Sequence, residues 1–236
     1  MKKGEITRLE ILEATLQVMV DKGVHNTTFR AVADESGLKL SLVSYHFPDR
    51  TKLLRDAVAM LFSRQSVLID SIFTNLYELL SQYQKRDLKR SISRAEIALT
   101  LTDAISEALH GYFLSDKKDP RALLVLKFDP HPDPALSHVR NLGLRSLKAY
   151  LIELCKQLHS ATPRDDARLL TSVFVLFELE ALKSSRPKKF KVHTAVWQVM
   201  CQILNVQYSL GEATTRVRKR QQRSFDNLLA QGELFS

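Results

Sequence analysis

The chain has 236 residues, with 35 Lys plus Arg against 26 Asp plus Glu, and so a formal net charge of +9. Hydrophobic residues at 44% and charged residues at 26% are the balance of a globular protein and exclude wholesale disorder. Two cysteines, Cys155 and Cys201, exclude a disulfide framework or a four-cysteine metal site, and seven Gly with seven Pro argue against a turn-rich all-β fold.

No apolar run approaches the roughly 18 residues of a membrane span, and Met1-Lys2-Lys3-Gly4-Glu5 opens no signal peptide. The expectation is a reduced, cytoplasmic, mostly helical protein. Its charge is localised. Ten basic residues and one acid lie between Lys183 and Arg223, so that stretch carries the whole excess and the remainder is neutral.

Thr7 to Lys22 has the apolar spacing of an amphipathic helix (Leu9, Leu12, Leu16, Met19, Val20), and Gly23 suits its C-terminal cap. Thr27-Thr28 offers an N-cap for a short helix from Phe29 to Ser36, Gly37 breaks it, and a second short helix follows near Leu40 to Phe47 until Pro48-Asp49. From Arg50 the pattern stays helical to about Gln84, with a kink or break expected inside it. Further helices are predicted from Ser93 to about Phe113, Arg121 to Phe128, Ala135 to His159, and Thr162-Pro163 to about Ser184. The three prolines of residues 129–134 forbid helix between them. Lys191 to Leu210 shows the clearest seam, Val192, Val196, Val199, Ile203, Val206 and Leu210. The fold class is therefore all-α, with an N-terminal three-helix unit followed by a larger helical domain.

Two short helices around Gly37, preceded by a longer one, describe a helix-turn-helix. Ala33 must be small where the second helix crosses, Gly37 accepts a left-handed turn, and Val43 with Phe47 packs the second helix inward. Ser41, Leu42, Ser44 and Tyr45 are left facing outward, on a helix short and lightly charged enough for a DNA major groove. Thr27-Thr28-Phe29-Arg30-Ala31-Val32-Ala33, Ser36-Gly37-Leu38, Tyr45-His46-Phe47-Pro48-Asp49-Arg50 and Leu53-Leu54 together resemble the DNA-binding domain of the TetR family. The resemblance covers about residues 6 to 55. It implies a homodimeric transcription regulator, usually a repressor, whose larger domain binds a small effector. Thr28 and Arg30 match phosphate-touching positions. Leu40, Ser41, Leu42, Ser44 and Tyr45 match groove-facing positions, and His46 and Arg50 match backbone contacts. Lys39 stands where the family commonly has a capping Ser, Ser41 where it has Gly and Ser44 where it has Tyr. The lysine at 39 has phosphate as an alternative target.

The domain reading is 1–50 for the helix-turn-helix, 51–210 for effector binding and dimerisation, and 211–236 for a basic, partly helical tail. Phe73, Tyr77, Tyr112, Phe113 and Phe128 are candidates for an effector pocket, with Tyr83 as a further aromatic of the same region. Glu178 and Glu180 interrupt an apolar run, and being two apart they predict at most one deep carboxylate, a candidate anchor for a cationic effector. The dimer interface is expected at Val173, Phe177, Val192, Val196, Val199, Ile203 and Val206, because such a seam is more apolar than a free surface tolerates. Partners expected are double-stranded operator DNA, a second copy and a small molecule, and no membrane. His131 and His138 match no compact zinc spacing, no cofactor motif is present, and an enzyme reading has no residue to stand on. Control by a protein partner in place of a small ligand is the alternative, and a helical enzyme without DNA binding is a weaker one.

Overall fold

The computed structural model describes residues 3–115, 118–129, 134–183 and 192–230. Among these, α-helices and one short 3-10 turn account for the regular structure.

Helix α1 (Lys3–Lys22) stops at Gly23, whose φ of +80° is left-handed and whose N–H donates to the Met19 carbonyl at 3.1 Å. Helix α2 (Phe29–Ser36) starts at Thr28, the Oγ1 of which accepts the Ala31 N–H at 3.2 Å. It ends at Gly37 with φ +68°, the conformation that makes glycine the unstrained residue there. Helix α3 (Leu40–His46) follows without a side-chain cap, because Lys39 at the N-cap position has no acceptor to offer.

Helix α4 (Arg50–Ser81) is capped by Asp49, which accepts the Lys52 N–H at 2.7 Å. It is continuous over its 32 residues, so of the kink or break expected within it no break is found. After a turn at Asp87–Lys89 come α5 (Ser91–Ser115), α6 (Lys118–Phe128), α7 (Pro134–Gln157) and α8 (Pro163–Lys183), all within a few residues of the sequence expectation.

The seam from Lys191 to Leu210 is not one helix. Helix α9 (Val192–Leu204) ends where Asn205 turns left-handed at φ +49°, and α10 (Leu210–Ala230) begins afresh. Ser209 and Glu212 open α10 with a reciprocal cap: the Ser209 N–H donates to the Glu212 carboxylate at 2.9 Å, and the Glu212 N–H to Ser209 Oγ at 3.3 Å. The two bonds to Ser209 hold the Glu212 carboxyl below its ordinary titration range. The expected tail is thus mostly a 21-residue helix. Its inner edge buries Ala213 and Val217, while Arg220 pairs with Glu96 at 3.0 Å and donates to Ser93.

The chain divides into two compact units unlike the expected 1–50, 51–210 and 211–236. Unit one is Met1–Ser71, His110–Ala149 and Glu178–Pro187; unit two is Ile72–Leu109, Tyr150–Phe177 and Lys188–Ser236. The core of unit one is a single apolar cluster. It joins Ile11, Leu16 and Met19 of α1 to Val32, Val43 and Phe47, to Leu53, Leu54, Val58 and Leu61 of α4, and to Ala122, Leu123 and Leu126 of α6. In unit two, Leu101, Leu154, Leu170, Val196, Met200 and Leu204 are buried.

Candidate nucleic-acid interface

The inner edge of α3 is fixed by Val43 and, just past the helix, by Phe47, both fully buried. The remaining faces turn outward. Leu40, Ser41 and Ser44 are exposed and Tyr45 is 83% exposed, while Leu42 and His46 are half-buried. The Tyr45 and His46 rings meet edge to face at 5.3 Å, and Ser44 Oγ donates to the Leu40 carbonyl at 3.1 Å. Lys39 and Arg30 are exposed. An exposed tyrosine and leucine thus stand opposite a fully buried inner edge.

Two arginines hold this surface in place. Arg8 of α1 forms an ion pair with Asp56 and lays its guanidinium 4.7 Å over the Phe47 ring, covering the end of α3. Asp56 also takes Lys52 at 2.7 Å. Arg50 reaches back over the loop between α1 and α2: Nε donates to the Thr27 carbonyl at 2.8 Å, and Nη2 to the Val24 carbonyl at 2.6 Å and the His25 carbonyl at 3.4 Å. The family resemblance implies a DNA-backbone contact for Arg50. Here its donors are spent on the protein's own backbone, and Thr28, also nominated for phosphate, spends its side-chain oxygen as the α2 cap. Neither arginine contact was foreseeable, since each joins positions 23 or more residues apart.

Elsewhere in unit one, Arg64 of α4 pairs with Glu13 of α1 and with Asp119 of α6, and its hydrogen bond to the Glu13 carboxylate is the largest cause holding its pKa above the ordinary value. The Tyr112 hydroxyl accepts from Gln65 at 2.5 Å, and burial, followed by the Glu178 charge, raises its pKa.

The other nominated residues are dispersed. Phe73 is buried, stacked on Tyr150 at 4.9 Å and tilted against Tyr77 at 6.0 Å, and the Tyr77 hydroxyl donates to the Tyr150 carbonyl at 3.2 Å; all three belong to unit two. Tyr112 and Phe128 belong to unit one, where Phe128 is exposed, and the Phe113 side chain lies outside the described residues. Of the two acids in α8, Glu178 is buried and Glu180 exposed, as their spacing requires. The cation facing Glu178 is the chain's own Lys127, at 2.5 Å.

The seam nominated for dimerisation is corrected by its burial. Val192, Val196, Val199, Ile203, Val206 and Phe177 are all buried within the single chain, and Val173 is half-buried. A seam of that kind records an inward face, whichever wall covers it. On α8 itself, Leu169 and Leu176, one heptad apart, are left exposed. Residues 186–191, His131 and the side chains of His138, Phe225, Leu228 and Leu229 lie outside the described residues. Among the described residues no three metal-ligating side chains cluster, and no helix is long and apolar enough to cross a membrane.

Among the described residues the regular structure is a helix-turn-helix followed by further helices, an arrangement similar to that of helix-turn-helix DNA-binding proteins. Residues 11–57 match the model of the bacterial regulatory proteins of the tetR family. That match spans the helix-turn-helix and the start of α4, about a fifth of the chain. Over 73 residues it is 30% identical to the HTH-type transcriptional regulator BetI of Pectobacterium atrosepticum; that match covers 31% of this chain and 37% of the relative's length. The similarity of fold extends further. A transcriptional regulator from Rhodococcus sp. Rha1 superposes with a TM-score of 0.56 at 16% identity, over 86% of this chain and 97% of that one. A tetR-family structure from Mesorhizobium loti gives 0.57 at 16% identity, over 87% and 98%.

Proposed function

We propose that the protein is a cytoplasmic, homodimeric transcriptional repressor whose grip on its operator is relieved by a small-molecule effector. The observation carrying this reading is the face of α3, where Tyr45, Leu40, Ser41 and Ser44 stand in solvent while Val43 and Phe47 lock the opposite edge. In this reading α3 enters the major groove. Leu40 and Leu42 meet thymine methyl groups, Ser41 and Ser44 bond to base edges, and Tyr45, His46, Lys39 and Arg30 meet the phosphate backbone. Arg50 acts through the loop it clamps. Two such helices must lie about 34–36 Å apart to enter successive grooves. An effector that binds more tightly to a dimer of different spacing weakens operator binding by that difference in affinity.

Dimerisation is supported by the exposed stripe of α8, Leu169 at 41% and Leu176 at 56% exposure, which a second copy of the same helix covers in a self-complementary contact. A mobility-shift assay on the DNA upstream of the protein's own coding region tests the reading. A discrete, competitor-resistant complex is expected, and equal affinity for unrelated duplexes overturns it.

A further inference from the structure

We infer that a cleft in unit two, between the C-terminal ends of α4 and α7, is a binding site for an amphiphile with an anionic head, such as a carboxylate on an apolar body. The cleft is open on one side and has a volume of about 510 Å³, within the range of small-ligand sites. Leu80, Leu88, Ile97 and Leu158 provide apolar walls. Tyr77 and Tyr83 add rings whose hydroxyls are already engaged, on the Tyr150 carbonyl and on Thr100 at 3.3 Å, so their faces are held in position before a ligand arrives.

The sign of the head group follows from the rim. Lys85, Lys156 and His159 line the cleft, and no carboxylate is among its described lining residues. The nearby acids are engaged at its margin. Glu153 takes Lys156 at 3.3 Å in a pair exposed on both sides, and Asp87 accepts the Gln84 N–H at 2.9 Å. An exposed pair of that kind is weak enough for a ligand carboxylate to compete for the lysine.

His159 supplies an independent observation. It ends α7 with φ +56°, held by its own N–H on the Lys156 carbonyl and by the Ser160 N–H on the Cys155 carbonyl. Glycine is the unstrained residue at such a helix end. The chain instead keeps an imidazole there, on the lip of an apolar cleft, and non-glycine residues in this conformation gather at ligand sites.

The inference gives the effector of the proposed function a chemical class and relies on that reading only for its regulatory consequence. Calorimetry on the full chain without DNA tests the site, with octanoate, octylamine and acetate as probes. Octanoate is expected to bind saturably, and the other two to bind far more weakly. Lys85→Gln with Lys156→Gln should reduce octanoate affinity at least about tenfold, the loss expected for a charged hydrogen bond. His159→Gly should weaken octanoate binding while raising the melting temperature, a combination that a purely structural role does not produce. Octylamine binding as tightly as octanoate, unchanged affinity in the lysine variant, or no octanoate binding at millimolar concentration overturns the site. Octanoate that binds and leaves operator affinity unchanged supports the site and refutes its effector role.

Discussion

Replacing Arg50 by Ala separates two uses of one guanidinium. In the structure it donates to the carbonyls of Thr27 and Val24, two buried residues of the loop before α2. Val24 keeps a second partner, the Thr27 N–H at 3.2 Å, but the Thr27 carbonyl loses its donor from Arg50. With charged hydrogen bonds contributing about 1.5–3 kcal/mol each and a bare acceptor left behind, the loss is about 3 kcal/mol. For a chain of this size that lowers the melting temperature by roughly 6–12 °C. Arg50→Lys should recover less than half, because a single ammonium point charge does not reproduce the fork that reaches both carbonyls. Thermal melting and the salt dependence of DNA binding are the paired measurements. A clamp gives a lower melting temperature with an unchanged salt slope. A direct phosphate contact gives an unchanged melting temperature and a slope shallower by about 0.9. The second pattern refutes the clamp.

Leu169→Asp with Leu176→Asp should give folded monomers in sedimentation, whereas Val199→Asp with Ile203→Asp should unfold the chain by more than about 4 kcal/mol, since both valine and isoleucine are buried within it; a folded monomer from the second pair would restore the seam as the interface. Tyr45→Ala should weaken binding to every duplex with little change in stability, and Leu42→Arg should change the preferred sequence in selection from a random library. Lys127→Ala should cost about 3 kcal/mol in denaturant unfolding by leaving Glu178 buried without its cation, and Lys127→Met combined with Glu178→Leu should recover most of that loss.

What the sequence made legible is local. Thr28, Gly37 and the Val43/Phe47 pair mark the start, turn and inner edge of the helix-turn-helix within 20 residues, and each mark has a short-range cause: a cap, a left-handed turn, a four-residue repeat. The break at Asn205 was also written locally, in Ser209-x-x-Glu212, but the apolar seam running through it hid the cap. Long-range features were not legible. An amphipathic seam announces a buried face without saying whether the same chain or a second copy covers it, so the spacing of Val199 and Ile203 fits a core and a dimer interface equally. The cleft rim likewise joins Lys85 to His159, which no period connects.

The single cluster under α3 bears on how this protein can be re-engineered. Its walls include Leu53 to Leu61 beyond the third helix and Ala122, Leu123 and Leu126 some seventy residues later. A chimera spliced at residue 50 would therefore exchange half a core, and the transplanted recognition unit would arrive without the surfaces that shape it. Operator preference is better transferred as a veneer. Leu40, Ser41, Ser44 and Tyr45 can be rewritten from outside, because none of the four is buried, leaving every wall of the cluster in its native company.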